Sequence, residues 1–132
     1  MSKAVLISIR SGGCQKIMEG RKTIEVRKTR PKMNPPFKCY IYRSVLGGVV
    51  GEFICDRVTD LFENSRFWLN EDDILRTCLT ADEIRAYANG ANELYGWHIS
   101  NLKIYDTPRE LREFYAVPNE VEVALKANPK PI

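Results

Sequence analysis

Gly20-Arg21-Lys22-Thr23-Ile24-Glu25-Val26-Arg27 decides how this chain reads. A glycine opens the stretch and the residues after it alternate. Ile24 and Val26 fall on one face of an extended strand; Thr23, Glu25 and Arg27 fall on the other. Such a strand packs its apolar face on a core and presents a hydroxyl, a carboxylate and a guanidinium in a row. Lys22 stands at its mouth. A surface strand needs no such set, so the segment reads as the lining of a binding cleft.

Residues 3–9 are aliphatic and β-branched and predict a buried first strand. Ser11-Gly12-Gly13 breaks it. Cys14, Ile17 and Met18 recur at helical spacing, which predicts a short helix over 11–19 with Ser11 as its cap and Gly20 at C′. A second strand covers 22–28, and Pro31, Pro35 and Pro36 make 29–36 a loop. Strands follow at 38–43 and 49–61, joined by a Gly47-Gly48 turn, the second bent at Gly51. Residues 63–77 are acidic and irregular, although Phe67, Trp68 and Leu69 can pack a short helix. Thr80 and Glu83 form a capping box for a helix over about 81–89, ended by Asn89-Gly90. A fifth strand runs over 95–105 with a bulge near Asn101. A helical turn spans 108–114, and Val121-Glu-Val-Ala-Leu is the candidate last strand. The Pro-rich tail, from about residue 118, reads as frayed. The fold class is therefore α+β: a small mixed β-barrel with two or three short helices, forming one domain over 1–132.

With 132 residues the chain can bury one core without metal or disulfide staples. No apolar run nears the roughly 20 residues of a membrane span, and Arg10 ends the N-terminal run too early for a signal peptide. The expected setting is cytoplasmic, with no membrane partner. Cys14, Cys39, Cys55 and Cys78 are widely spaced and accompany a single histidine. They read as reduced, mostly buried thiols, and neither a metal site nor a cofactor is expected. Charge is uneven along the chain. Residues 1–50 hold 11 Lys and Arg against Glu19 and Glu25, a net of +9; the remainder holds 9 against 15 acids, a net of −6, giving the total of +3. A basic half suggests an anionic partner, nucleic acid above all, unless the charges mix again in space.

Gly20, Lys22, Glu25 and Arg27 spell G-x-K-x-x-E-x-R. With the preceding helix, the Gly47-Gly48-Val-Val-Gly-Glu52 strand and the late Tyr95-Gly-Trp-His-Ile-Ser-Asn-Leu102 strand, this pattern resembles the ASCH domain, a branch of the PUA-like superfamily, over most of the chain. The resemblance implies a pseudo-barrel whose motif-lined cleft binds RNA or a nucleotide. It places Ser8 and Arg10, at the end of the first strand, beside that cleft. Some relatives are enzymes that hydrolyse acetylated cytidine or cut RNA, using the motif lysine with a threonine and a distant carboxylate. Lys22 matches the lysine. Glu25 stands where the amidohydrolase group carries threonine, and the distant carboxylate has no counterpart in the sequence pattern. RNA or nucleotide binding is thus the expected function. The alternative is a hydrolase of a modified nucleoside, or a ribonuclease, with Lys22 and Glu25 as its catalytic pair.

Elementary chemistry assigns roles within this set. An apolar cleft favours the neutral, nucleophilic form of a lysine, whereas a carboxylate three residues on favours the ammonium. Lys22 and Glu25 therefore read as a fixed charge pair rather than an activated base. Arg27 offers a planar fork for a phosphate or a base edge, and Glu25 can accept from a base amine. Arg21, Lys28, Arg30 and Lys32 read as a phosphate rim. The competing reading of the set is a buried salt bridge that only fixes the fold. Tyr40 and Tyr42 share a strand face and can stack on a base or pack a core. His98 and Ser100 share a face opposite Trp97 and complete the candidate ligand contacts.

Overall fold

The computed structural model describes residues 4–62, 71–91, 93–115 and 121–123. Strands β1 (Ala4–Ile9), β2 (Ile24–Arg27), β3 (Phe37–Arg43), β4 (Val49–Asp60), β5 (Tyr95–Arg109) and β6 (Val121–Val123) alternate with helices α1 (Ser11–Met18), α2 (Glu71–Thr77), α3 (Ala81–Ala88) and α4 (Arg112–Tyr115). The strands form one mixed sheet in the order β2-β5-β4-β3-β1-β6, with β1 parallel to both β3 and β6 and the other pairs antiparallel. The α+β class holds. The barrel does not close by hydrogen bonding: among the described residues β2 and β6 remain the two edges of the ladder.

The sheet nonetheless curls. Val5, Ile7 and Ile9 of β1 and Tyr95 and Trp97 of β5 share one buried cluster with Cys14 and Ile17 of α1 and with Cys39, Ile41, Phe53 and Cys55. The bend comes from irregular pairing of the two longest strands. Gly51 pairs with Ile104 and Ile54 with Ser100, so β5 carries an extra residue at Asn101, whose φ of +49° is left-handed. Asn tolerates that conformation better than most side chains. At Gly51 the backbones approach so closely that an added Cβ would sit 2.6 Å from the Lys103 carbonyl oxygen.

Two caps set the ends of the site-bearing elements. Gly20 (φ +76°) follows α1, and Gly20 N–H donates to the Ile17 carbonyl while Arg21 N–H donates to that of Lys16. These paired bonds are a Schellman motif, which turns the chain directly into Lys22. The start of α1 departs from expectation. Arg10 rather than Ser11 is the N-cap, with no side-chain cap and no acid in the first turn. Thr80 and Glu83 do cap α3 reciprocally. Residues 71–77, expected to be irregular, form α2; the helix expected around Phe67 lies outside the described residues. β5 runs four residues beyond the predicted end. Among the described residues no helix is long and apolar enough to cross a membrane.

Replacing Gly51 with alanine must push β5 away from β4. The expected loss is about 1–3 kcal/mol of unfolding free energy, the usual cost of overpacking, read as a lower urea midpoint at unchanged m-value.

Candidate functional site

β2 is buried on both faces. Val26 packs with Ile84 and Ala88 of α3 and with Leu61, Phe62 and Leu94. Its polar row therefore faces the inside of the curled sheet rather than solvent. Glu25 and Arg27 are both 0% exposed and Lys22 is 3% exposed. The three side chains meet: Glu25 Oε2 lies 2.9 Å from Arg27 Nη2 and Glu25 Oε1 lies 3.5 Å from Lys22 Nζ. Both contacts are ion pairs rather than aligned hydrogen bonds, for neither carboxylate oxygen has a hydrogen-bond partner. The buried carboxylate is felt nearby. Burial and then the charge of Glu25 push the Cys14 thiol up to about 12.

Each cation has a second anchor. Arg27 Nη2 donates to the carbonyl of Ser8 on β1. In the ladder β5, β4 and β3 separate these two strands, so the contact joins the sheet across its curl. Lys22 Nζ donates to the Thr77 carbonyl at 2.8 Å, and Thr23 N–H donates to that of Arg76 at 2.9 Å. The C-terminal carbonyls of α2 thus dock on the start of β2, the end of the helix dipole that favours a cation.

Only Lys22 of this trio reaches open space. It forms part of a cleft of about 210 Å³ whose other walls are Arg10, Gly12, Gly13 and Lys16 at the start of α1, and Thr77, Cys78 and Leu79 after α2. Among the described residues three cations line it and no carboxylate does. The first turn of α1, without a side-chain cap, adds N–H groups that have no partner within the helix at the same end. Arg10 was legible as a cleft residue; Lys16, Gly12, Gly13 and the 77–79 turn were not singled out. The signal for the first three lay in the sequence: an Arg-x-Gly-Gly helix start without a capping acid, with Lys16 three and four residues beyond the glycines on the same side. Nothing in the sequence pattern brings Thr77 to Lys22, 55 positions away.

The remaining predicted site residues lie elsewhere. Ser8 contributes its carbonyl, not its hydroxyl. Tyr40 alternates with Cys39 to the opposite sheet face, where its ring packs 4.7 Å from Phe114. Arg21 is exposed beside the cleft and pairs with Glu19. Lys28 stacks over Tyr87 and Arg30 over Tyr95, with Asp60 paired to Arg30, at the far end of β2 from Lys22. A strand rising about 3.3 Å per residue carries them well away from the cleft, so Lys28 and Arg30 do not rim it. Lys32 is exposed in the following loop and is not among the residues that line the cleft. Thr23 is half-buried, its backbone bonded to Arg76 and Ile99. Ser100 donates to the Ile54 carbonyl at 3.0 Å. His98 is 5% exposed; its Nδ1 accepts from Arg57 Nε at 3.3 Å and its Nε2 lies 3.0 Å from the Thr59 hydroxyl. An Nδ1 that accepts leaves the ring proton on Nε2, a neutral and satisfied imidazole. Three of the cysteines are buried, but Cys78 is half-buried and free. Among the described residues no group of three or more His, Cys, Asp or Glu side chains is arranged to hold a metal.

The curled mixed sheet with a helix between its first two strands has the fold of solved ASCH structures. The crystal structure of ASCH from Zymomonas mobilis aligns with a TM-score of 0.70 at 18% identity, covering 91% of this chain and 82% of that one. A tyrosine-to-phenylalanine mutant of the same protein aligns at 0.71 with 16% identity, and a serine-to-alanine mutant at 0.72 with 17%, each again over 91% of this chain and over 84% and 82% of its own. No family model and no curated protein matches the sequence.

Two outcomes follow for stability. Arg27→Met strips Glu25 of its nearer cation in a dry site, and an expected loss of about 3–5 kcal/mol should appear in urea unfolding; changing Glu25 to leucine as well should recover part of it. His98 supplies a pH test, because it is the only histidine. Burial and then Arg57 hold its pKa below the ordinary value, with Arg76 acting the same way and Asp73 and Asp56 opposing. The unfolded chain therefore takes up this proton first. The stabilisation is complete above the unfolded pKa of about 6.5 and is lost as pH falls below it toward the folded value. Melting temperature should drop between pH 7.5 and 5.5, and His98→Gln should flatten that dependence.

Proposed function

We propose that this ASCH-fold protein binds RNA or a nucleotide in the cleft between the start of α1 and the turn after α2. The observation that carries the reading is the lining itself: Arg10, Lys16 and Lys22 converge with no carboxylate among them. Lys22 is the fixed cation, held from behind by Glu25 and by the Thr77 carbonyl. Arg10 is exposed and Lys16 half-buried, so both can meet an incoming anion. Glu25 and Arg27 act from the interior, as the support that keeps Lys22 in place and, through the Ser8 carbonyl, keeps the curled sheet together as a pseudo-barrel.

One observation favours the hydrolase reading as a second. Its expected partners for the lysine are a threonine and a distant carboxylate, and Lys22 has one residue of each type beside it in exchanged places: Thr77, distant in sequence, and Glu25, three residues on. Against it, Lys22 Nζ is engaged by both neighbours, and the Thr77 hydroxyl already donates to the Ile74 carbonyl and accepts from Leu79 N–H. A nucleophile or base needs a free lone pair; a charged anchor does not.

The experiment is an anisotropy titration with a short labelled RNA, alongside incubation with acetylated cytidine and with labelled RNA. Arg10→Ala and Lys16→Ala should each weaken RNA binding and lower its salt dependence by about one ion. Turnover abolished by Lys22→Met would replace the binding reading with the enzymatic one, and RNA affinity unmoved by both substitutions would remove the cleft from it.

A further inference from the structure

We infer that the cleft reads the phosphate group of its ligand and leaves the base outside. The inference rests on the binding reading above and narrows it. Size comes first. About 210 Å³ is less than the roughly 300–1,000 Å³ of pockets that enclose a drug-sized ligand. The cleft can take in a phosphate with its ester oxygens but does not enclose a whole nucleotide. Lining comes second. Among the described residues no aromatic side chain borders the cleft, so none of them stacks on a base there, which is how single-stranded bases are gripped. Glu25, the acid suited by sequence to accept from a base amine, is buried behind Lys22. What remains among the described residues is three cations and the first-turn N–H groups of Gly12 and Gly13, all of them donors suited to oxyanions.

The same chemistry can come from a nucleotide's terminal phosphate or from a phosphodiester within an RNA. Affinity in either case follows the phosphate and not the base. An unphosphorylated nucleoside then has no hold on the cleft.

Cys78 provides the readout. It lines the cleft and is half-buried, while Cys14, Cys39 and Cys55 are buried. Alkylation of Cys78 by N-ethylmaleimide, located by mass spectrometry, is followed in the intact protein at matched ionic strength. Inorganic phosphate, AMP and CMP should all slow it, AMP and CMP at concentrations within about threefold of each other, whereas adenosine and cytidine should leave it unchanged. Lys16→Ala should raise the protective concentration about tenfold or more, as the loss of a charge-assisted contact does. Paired short RNAs with and without a 5′-phosphate separate the two sources: protection by both points to the internal phosphodiester, and protection by the phosphorylated one alone points to the terminus. Protection by nucleosides equal to that by nucleotides, or a large preference between AMP and CMP, overturns the inference and leaves nucleotide binding standing. If neither phosphate nor any RNA protects Cys78 and anisotropy detects no RNA binding, both fall together.

Discussion

A single carboxylate in the dry interior organises this molecule. Glu25 has no access to water, and a charge so placed is tolerated only with opposite charge beside it. Arg27 and Lys22 meet that demand from the same strand, one on each side. Each then carries the constraint outward. Arg27 is long enough to reach the Ser8 carbonyl and so fastens β2 to β1, which the ladder leaves apart. Lys22 reaches the Thr77 carbonyl and so fastens α2 to the start of β2. The tie across the curl of the sheet and the construction of the cleft wall therefore share one cause. The binding row and the structural salt bridge, which the sequence poses as competing readings of these residues, are two ends of one network: its interior end is structural and only Lys22 opens outward.

Much of the fold was legible because its signals are local. The α1 terminus is fixed by Gly20, whose positive φ the helix end requires, and α3 by the Thr80–Glu83 box; both stand where expected. The Asn101 bulge was visible as a break in the alternation of β5. Alternation also separated the faces of β2 correctly, but it could not say which face looks inward. Both are covered, one by α3 and one by the curl of the sheet, and only tertiary packing decides that. The candidate site was half legible for the same reason. Lys22 and Arg10 are local in pattern. Thr77 is not, and Tyr40 was misplaced because sharing a fold with the motif does not mean sharing a sheet face with it. The chosen rim failed on simple length: a strand that begins at Lys22 has carried Lys28 to its other end.

Burial also explains why the other polar candidates are quiet. The His98 ring and the Ser100 hydroxyl each sit where the sheet needs a polar group satisfied, and each finds its partner in the protein: Arg57 and Thr59, and the Ile54 carbonyl. Fully partnered polar groups specify packing and have little left to offer a ligand. The side chains at the cleft differ. Among the described residues of its wall, Arg10 and Lys16 have no carboxylate beside them.

The electrostatics of that space follow from how two helices end there. The first turn of α1 points uncapped N–H groups at it, the positive end of a dipole. The last carbonyls of α2 come to its other side, the negative end, which alone would repel an anion. Lys22 and the Thr23 N–H occupy those carbonyls. The negative end is thereby neutralised by the protein itself, while the positive end stays open. Arg10 and Lys16 add to the same sign. A short lysine-bearing turn inserted between two helix ends thus converts a region of mixed polarity into one that favours anions, and it can do so only while Glu25 holds the lysine from behind.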